Sequence, residues 1–311
     1  MVEGARIRTQ SKVSIGFVVV CLIWGSTWLA IKLGLETVPP FLASGLRFLL
    51  ASIVLGGLVF LRNERLPRER GFRALVVFIS LTSFSIPFAL VYWGQLLIPS
   101  ALASILFATF PFFVAVFSHI VLPNERMSGP KMLGVLLGFI GVYVIFSSEL
   151  SLGARLALGG MVAIVASSLI QAISLVFLKK HGESYSTHSI NFVSIVMSAV
   201  LLLCTSVVVE DYTNVVFTPK AILSLLFLAI FGTVVTFVTY FWMIKHVQAV
   251  LLSMTSFVTP IIAVVLGALV MHEQLAPRIV SGAALVLGGI LVANGRDLVK
   301  LISDRKSLLW D

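Results

Sequence analysis

Long apolar segments alternate with short polar turns along almost the whole chain. Ten segments of about 20 mainly apolar residues can be marked, and each would cross about 30 Å of hydrocarbon as a helix. They lack the alternation of apolar and polar positions found in membrane barrel strands and are too long for such strands, so the pattern predicts helices. The predicted spans are Ser14–Leu33, Pro40–Leu61, Phe72–Tyr92, Pro99–Leu122, Gly129–Ser147, Leu156–Leu178, Thr187–Val209, Pro219–Met243, Ala249–Met271 and Arg278–Asn294.

Marker residues of spans three to five recur in spans eight to ten. The matched pairs are Trp93 with Trp242 and Pro111 with Pro260 at an offset of 149, and Glu125 with Glu273, Gly134 with Gly282 and Gly141 with Gly289 at an offset of 148. Apolar residues match by chance in such a chain, but a Pro, a Glu and two Gly in the same order are harder to match by chance. We interpret the pattern as an internal duplication.

Composition places the chain in the membrane. Apolar residues make up 59% of it and charged residues 11%, against about 45–50% and 25% in soluble domains. So few charges could not cover a soluble surface, and no separate soluble domain is indicated. The net charge of +9 could suggest nucleic acid, but the basic residues lie at span ends, which is typical of anchoring to anionic lipid. We therefore predict a lipid bilayer and no nucleic acid as partner.

The distribution of Lys and Arg predicts the orientation. Seventeen of them lie near span ends on the side of the N-terminus, and four lie on the other side. This bias predicts a multi-pass protein of the cell inner (plasma) membrane with both termini in the cytoplasm. The basic leader, residues 1–13, precedes a span that is too long for a signal peptide and lacks a small-x-small cleavage site, so we expect that span to remain attached.

Five spans in each half is an odd number, so the second half must cross the membrane upside down relative to the first. The halves are residues 14–150 and 151–295, followed by a basic tail, 296–311. Inverted repeats recur in secondary transporters, where they permit inward- and outward-open states of similar energy. A weaker match supports the duplication: Trp24–Lys32 aligns with Gln171–Lys179 at an offset of 147, sharing little beyond its spacing and final Lys.

Three features resemble the EamA-type branch of the drug/metabolite transporter superfamily. They are WGSTWLAIK in the first span, Arg47 within GLRFLLAS in the second, and the Pro–Glu–Gly–Gly pattern that occurs twice. The resemblance covers nearly the whole chain and is greatest to bacterial inner-membrane amino-acid and metabolite exporters. It implies an all-α membrane protein of ten transmembrane helices, arranged as two inverted five-helix repeats around a central cavity. Because subfamilies differ in substrate, the resemblance does not name a solute.

Polar and aromatic side chains at mid-membrane depth are candidates for lining that cavity. Ser, Thr and Gln offer neutral donors and acceptors and Trp a large face, which suits a solute with an amide, hydroxyl or zwitterionic head and an apolar side chain. For individual Ser and Thr, contacts between helices or with their own backbone are the commoner role; Gln171 could serve either. The substrate-binding candidates are Trp24, Thr27, Trp28, Arg47, Ser83, Phe88, Ser167, Gln171, Ser174, Ser253 and Ser256.

Aromatic and proline residues at matched positions are candidates for gates and hinges. Aromatic pairs at the external end of span three and the cytoplasmic end of span eight could form two gates, or could belong to the interfacial aromatic belt. A mid-span Pro removes one backbone hydrogen bond and kinks the helix, either as a static bend or as a hinge. The gate candidates are Tyr92, Trp93, Tyr240 and Trp242, and the hinge candidates are Pro111 and Pro260.

Charged residues within the spans are scarce. Arg47 lies about seven residues inside span two, roughly 10 Å along a helix. It could hold a solute carboxylate or bond to carbonyls that fix the external half of the bundle, and the family resemblance favours the structural role. No Asp or Glu falls at mid-depth in any span, so we predict facilitated export down a gradient and disfavour direct proton coupling. In the turns, Glu125 and Glu273 are expected to cap or pair near the next helix start.

Three function classes are compatible with a membrane bundle. An exporter of small neutral or zwitterionic metabolites, amino acids above all and including hydrophobic and aromatic ones, fits the polar and aromatic residues. A carrier for phosphorylated or nucleotide-linked sugars needs several cations at depth, where the chain offers Arg47 with at most Lys32 or Lys179. A membrane-embedded enzyme needs clustered His, Asp or Ser–His pairs.

We predict the exporter, with a small-molecule solute as partner and a monomer or homodimer as the assembly. No P-loop, dinucleotide fingerprint, HExxH motif or serine elbow occurs, and neither Cys21 nor Cys204 has a metal-ligand neighbour. No catalytic residue, metal or cofactor is therefore predicted. The glycines of spans five and ten are expected to allow close helix approach, as packing struts or as a dimer surface.

Overall fold

The computed structural model describes residues 2–122, 127–151, 155–247, 249–253 and 255–306, and all of its regular elements there are helical. The ten spans are Val2–Gly34; Pro40–Leu61; Arg70–Ile79 with Ser80–Ser85 and Ile86–Leu97; Ser100–Phe107 with Phe110–Val121; Gly129–Ser151; Arg155–His181; Thr187–Val209; Pro219–Ala229 with Ile230–Val235 and Thr236–Met243; Ala249–Ser253 with Thr255–Val270; and Pro277–Lys306. We number them as spans 1 to 10.

Eight spans are helices long and apolar enough to cross a membrane within the described residues, and spans 9 and 10 contribute the shorter apolar helices Thr255–Val270 and Pro277–Ala293. The predicted bounds of spans 2, 7 and 8 agree with the structure. The predicted end of span 3 at Tyr92 is wrong, because its helix continues to Leu97. Tyr92 and Trp93 therefore lie inside the span and not at its end.

Contacts between turns show that the two halves run in opposite directions. The N-terminal half of span 1 lies beside the end of span 8, where Gly16 packs against Met243; we call this end of the bundle the terminal side. Span 1 ends on the other side, the opposite side, where the Val216 N–H donates to the Thr37 carbonyl at 3.2 Å. Span 6 ends on the terminal side, since Lys179 Nζ donates to the Val247 carbonyl at 2.8 Å. The inverted five-helix repeats are thus confirmed.

Two glutamates tie spans 2 and 7 together, one at each end of this antiparallel pair. At the opposite side, the Glu210 carboxylate accepts from the Phe41 and Leu42 N–H groups at 2.7 and 2.8 Å. At the terminal side, the repeat-related Glu64 accepts from the Ser186 and Ser189 hydroxyls at 2.6 and 3.2 Å. The first N–H groups of a helix lack intrahelical partners and carry partial positive charge, so a carboxylate stabilises that end. Glu210 therefore caps span 2, while Glu64 places its charge beside the start of span 7 and bonds two serine side chains there.

A third glutamate, Glu273, corrects one prediction. Its carboxylate accepts from the Ser100 N–H, the Ser100 hydroxyl and the Ala101 N–H at 2.8, 2.9 and 2.9 Å. It therefore caps span 4 of the first half and not the helix that follows it in the chain. Its repeat partner Glu125 lies outside the described residues.

Lys32 and Lys179, which match in the weak alignment of the two half starts, make equivalent contacts in the structure. Lys32 Nζ donates to the carbonyls of Gln95 and Ile98, at 2.5 and 3.1 Å. Lys179 Nζ donates to the carbonyls of Ile244 and Val247. The last carbonyls of a helix lack intrahelical partners, and a lysine both bonds to them and complements their partial negative charge. Each lysine thereby fixes the end of the third helix of its own half.

Two π-helical segments occupy matching places in the two halves. They are Ser80–Ser85 in span 3 and Ile230–Val235 in span 8. A π-helical turn shifts the hydrogen-bond register by one residue and leaves carbonyls available to other partners. In span 3 the Ser80 carbonyl accepts from the Ser198 hydroxyl at 3.1 Å. In span 8 the Gly232 carbonyl accepts from Arg47 Nη2 at 2.8 Å.

Spans 5 and 10 pack against each other through glycines, as predicted. A Cβ added at Gly134 would lie 2.3 Å from the Gly289 carbonyl oxygen, and one added at Gly141 would lie 2.6 Å from that of Gly282. The glycine faces are therefore occupied within the chain, which supports the packing-strut interpretation. Gly138 admits the Phe112 ring of span 4, to which a Cβ would come within 1.9 Å.

Adjacent glycines of span 10 provide a matched test of this packing. We expect Gly289→Ala to lower the stability of the protein by about 1–3 kcal/mol, because a methyl group 2.5 Å from the Gly134 carbonyl oxygen forces the backbones apart. Gly288→Ala meets nothing within 4 Å, and alanine should stabilise the helix by about 0.5–1 kcal/mol. The melting temperature in detergent measures the stability of both variants. Equal melting temperatures for the two variants would contradict the close approach.

Candidate functional site

A cavity lies at the centre of the bundle, between the two halves. It has a volume of about 70 Å³. Spans 1 to 4 of the first half and spans 6, 8 and 9 of the second contribute to its wall, as the duplication predicts for a central site. Its lining residues are Trp24, Thr27, Trp28, Ile31, Arg47, Phe88, Val91, Phe107, Gln171, Phe237, Ser256 and Thr259. We call it the central cavity.

A second cavity of about 30 Å³ continues the first towards the terminal side. The two cavities share Trp24, Phe107, Gln171, Phe237 and Ser256 as walls. The residues that line only the second cavity are Ser83, Phe110, Leu175, Leu178, Tyr240 and Phe241. The polarity of the lining differs between the cavities: a cationic group, Arg47, borders the central cavity, while the second cavity is mainly aromatic and aliphatic.

Arg47 is buried, with 1% of its surface exposed, and connects span 2 to the π-helical segment of span 8. Its Nε donates to the Thr233 hydroxyl at 2.8 Å, in addition to the bond to the Gly232 carbonyl, and its Nη1 donates to the Tyr92 hydroxyl at 3.4 Å. The guanidinium carbon lies 4.7 Å from the centre of the Phe88 ring, within the range of a cation–π contact. No carboxylate forms a salt bridge with Arg47 among the described residues. Its positive charge is therefore held by neutral groups at the edge of the central cavity.

The hydroxyl of Thr233 is held by the helix irregularity itself. It donates to the carbonyl of Leu228, five residues earlier, at 2.9 Å. It can therefore accept from Arg47 while its own hydrogen is used. The π-helical segment thus supplies both a free carbonyl and an oriented hydroxyl to the guanidinium.

The candidate serines divide between the cavities and the helix contacts. Ser256 lines both cavities, and Ser83 lines the second while sharing a 2.5 Å hydrogen bond with Ser174. Ser174 and Ser167 bond other helices: Ser167 donates to the Pro87 carbonyl at 3.1 Å. Ser253 is buried but lines neither the central cavity nor the second cavity. The commoner role of serine in helix packing therefore accounts for Ser167 and Ser174.

Gln171 and the tryptophans of span 1 lie where the sequence places a solute site. The Gln171 side chain lines both cavities, and its Nε2 donates to the Ser167 hydroxyl at the long distance of 3.4 Å. Trp24 borders both cavities and contacts the rings of Phe237 and Tyr240 at centroid distances of 5.4 and 4.8 Å. Trp28 contacts Phe107 at 5.4 Å. Thr27 lines the central cavity, although its hydroxyl donates to the Trp24 carbonyl at 2.7 Å.

The gate candidates lie in four different environments. Tyr92 is buried next to Arg47, and Tyr240 lines the second cavity. Trp93 has 40% of its surface exposed on the outside of the bundle. Trp242 is half-buried and contacts the His246 ring in a tilted arrangement, with 4.4 Å between the ring centroids. The matched tryptophans thus lie away from both cavities: Trp242 lies at the end of its span, as the interfacial interpretation predicts, whereas Trp93 faces outward from inside span 3.

The two prolines have different local effects. Pro111 lies in the first turn of the second helix of span 4, just after the break at Ala108 and Thr109, and Phe107, the residue before the break, lines the central cavity. Pro260 lies inside the helix Thr255–Val270 of span 9. A hinge role stays a prediction for both.

Several cavity residues carried no signal in the sequence. Phe107, Phe237 and Val91 line the central cavity, and Leu178 and Phe241 the second. They are apolar residues in apolar spans, so residue type alone does not distinguish them from lipid-facing positions. The repeat could have found some of them, since Ile31 and Leu178 occupy equivalent positions in WGSTWLAIK and its counterpart.

Comparison with known proteins agrees with this architecture. The model of the EamA-like transporter family matches the chain twice, at residues 11–147 and 158–295. The chain belongs to the EamA-like transporter family. An uncharacterized transporter of Bacillus subtilis, YoaV, is 33% identical over 90% of this chain and 96% of its own length. PagO of Salmonella typhimurium is 30% identical over 81% of this chain and 83% of its own length.

The chain is also similar to an inner membrane transporter and to a protein of known structure. The EamA-like transporter is 27% identical to the uncharacterized inner membrane transporter YedA of Escherichia coli K12, over 79% of this chain and 78% of that protein. A crystal structure matches with a TM-score of 0.66 and 21% identity, covering 91% of this chain and 97% of the other. At that identity the match supports the fold alone. The chain is therefore a multi-pass membrane protein with a transporter's architecture.

The Arg47–Thr233 contact makes a specific prediction about stability. Thr233→Val keeps the side-chain shape but removes the acceptor of Arg47 Nε, and leaving a buried donor of a charged group unpaired costs at least about 1–3 kcal/mol. The control Thr233→Ser keeps the hydroxyl and should melt within a few degrees of the parent protein. Thermal unfolding in detergent distinguishes them. A valine variant as stable as the serine variant would show that Arg47 does not depend on this hydroxyl.

Proposed function

We propose that this EamA-like transporter exports small neutral or zwitterionic metabolites, amino acids above all, including those with hydrophobic or aromatic side chains. The observation that carries the proposal is the composition of the central cavity. One cation, Arg47, stands among neutral hydrogen-bonding groups and aromatic rings from both halves. Such a wall can pair with one carboxylate, but it cannot neutralise a phosphate group that carries two charges.

Each part of an amino acid has a suitable partner in this wall. A guanidinium presents a planar set of donors that matches a carboxylate. The Gln171 side-chain oxygen can accept from an ammonium group, and the Trp24 face attracts a cation. The aromatic residues of the second cavity suit a large apolar side chain. In this pose the solute carboxylate lies towards the opposite side and its side chain towards the terminal side.

The size of the cavities supports an alternating-access mechanism. The central cavity of about 70 Å³ has room for a few water molecules, whereas sites for small ligands measure about 300–1,000 Å³. Solute binding therefore requires the two halves to move apart. Inverted halves have two related ways of doing so. Pro111 and Pro260, in the fourth span of each half, are the proposed hinges.

We further propose facilitated transport without direct proton coupling, in the plasma membrane and with both termini in the cytoplasm. Among the described residues, no Asp, Glu or His lines the central or the second cavity. Coupled carriers commonly use such groups as proton relays within the membrane. The excess of basic residues on the terminal side supports the orientation.

Exchange in proteoliposomes tests the proposal. With no pH gradient imposed, we expect purified protein to exchange labelled phenylalanine for unlabelled amino acids, and cells loaded with dipeptides to release the resulting amino acids faster on overexpression. An absolute requirement for a pH gradient would contradict facilitated transport. Absence of exchange for every amino acid tested would contradict the proposed substrate class.

A matched pair of glutamines tests the site. Gln171→Leu should raise the KM for exchange about tenfold, corresponding to the loss of one polar contact of about 1.4 kcal/mol. Gln95→Leu is the control, because Gln95 is fully buried away from both cavities and its amide meets no hydrogen-bond partner among the described residues. It should leave the exchange kinetics unchanged. Equal effects of the two substitutions would remove Gln171 from the site.

A further inference from the structure

A third cavity, of about 40 Å³, opens at the terminal side of the bundle. It is formed by the end of span 6, the start of span 7 and the end of span 8, all in the second half. Lys179, Glu183, Thr187 and Lys245 give it a polar lining. We call it the vestibule. It lies outside the central site described above.

The vestibule and the second cavity share two walls, Leu178 and Phe241. Both side chains are 4% exposed. The central cavity, the second cavity and the vestibule therefore lie next to one another in a row from Arg47 to the terminal surface. Leu178 and Phe241 stand between the vestibule and the second cavity.

Phe241 lacks a hydrogen bond that the repeat-related residue on the other side makes. By repeat position, Leu178 corresponds to Ile31 and Phe241 to Tyr92. The Tyr92 hydroxyl accepts a hydrogen bond from Arg47 at 3.4 Å. Phe241 has no hydroxyl and contacts the rings of Phe84 and Phe237 at 6.2 and 5.9 Å. Its ring can move without breaking a hydrogen bond, which Tyr92 cannot do.

The charges of the vestibule favour an anionic group. Lys245 Nζ donates to the carbonyls of Glu183 and Tyr185 at 3.1 and 2.5 Å, and Lys179 donates to carbonyls as well. The lining of the vestibule holds two lysines, Lys179 and Lys245, and one glutamate, Glu183. Burial lowers the pKa of Lys245, and the Glu183 carboxylate opposes that shift.

We propose that the vestibule is an entry site for solutes carrying a carboxylate or similar anionic group, and that Leu178 and Phe241 form the barrier between it and the transport cavities. The proposal rests on the proposed function for its physiological meaning. The path itself is a property of the protein and can be tested without a transported solute.

Cysteine modification measures access along this path. In a Cys21→Ser, Cys204→Ser background, Ser83→Cys places a thiol in the second cavity. The probe is the impermeant anion methanethiosulfonate ethylsulfonate, added to one side of sealed vesicles at a time. Leu178→Ala should raise the rate of modification severalfold from the terminal side only. The repeat-related control Ile31→Ala should leave the rate from that side unchanged. If Leu178→Ala does not fold, Phe241→Leu replaces it.

The charge of the vestibule is tested with a second probe of opposite sign, the trimethylammonium analogue of the same reagent. From the terminal side we expect the anionic probe to be favoured, and Lys245→Gln to reduce that preference about tenfold, as for loss of electrostatic steering. Lys220→Gln is the control, because Lys220 pairs with Glu36 at the opposite side. The proposal would be overturned if neither Leu178→Ala nor Lys245→Gln changed the rates of thiol modification from the terminal side. If these rates follow the proposal while the protein exchanges no amino acid, the path stands and the proposed function fails.

Discussion

A buried guanidinium without a carboxylate partner must find its stabilisation in neutral groups, and this constraint shapes the centre of the protein. Arg47 takes that stabilisation from a carbonyl and a hydroxyl of the π-helical segment of span 8 and from the face of Phe88. A regular α-helix would use the Gly232 carbonyl in its own ladder. The irregularity of span 8 and the position of Arg47 therefore depend on each other. Together they join the two halves and leave a positive charge beside the central cavity that no carboxylate among the described residues pairs with.

Around this contact, the two halves are related in their helix ends more than in their cavity walls. Glu210 caps span 2, Glu64 bonds serine hydroxyls at the start of span 7, and Lys32 and Lys179 each hold the end of a helix within their own half. The contacts of Glu210 and of the two lysines satisfy backbone groups that lipid cannot satisfy. The cavity wall, by contrast, is unequal: no second arginine in the described residues mirrors Arg47 at the π-helical segment of span 3, where serine hydroxyls bond instead. The contacts at the helix ends are thus similar in the two halves, whereas the polar groups of the cavity wall differ between them.

Much of the frame could be predicted from the sequence, because length and hydropathy determine which segments cross a membrane. Spans 2, 7 and 8 have the predicted bounds, and the paired glycines of spans 5 and 10 meet as expected. The partners of polar residues could not be predicted in the same way. Ser174 could line a cavity or bond a helix, and its contact with Ser83 depends on how the helices rotate. The π-helical segments and the role of Glu273 likewise follow from packing between halves, which no local pattern encodes.

The central claim is that a solute binds between the inverted halves, with its anionic group at Arg47. An experimental structure determined with the solute selected by exchange assays tests this most directly. The account predicts solute density bounded by Arg47, Trp24 and Gln171, in a cavity wider than the present one. Solute density elsewhere on the protein, with the central cavity still closed around Arg47, would contradict it.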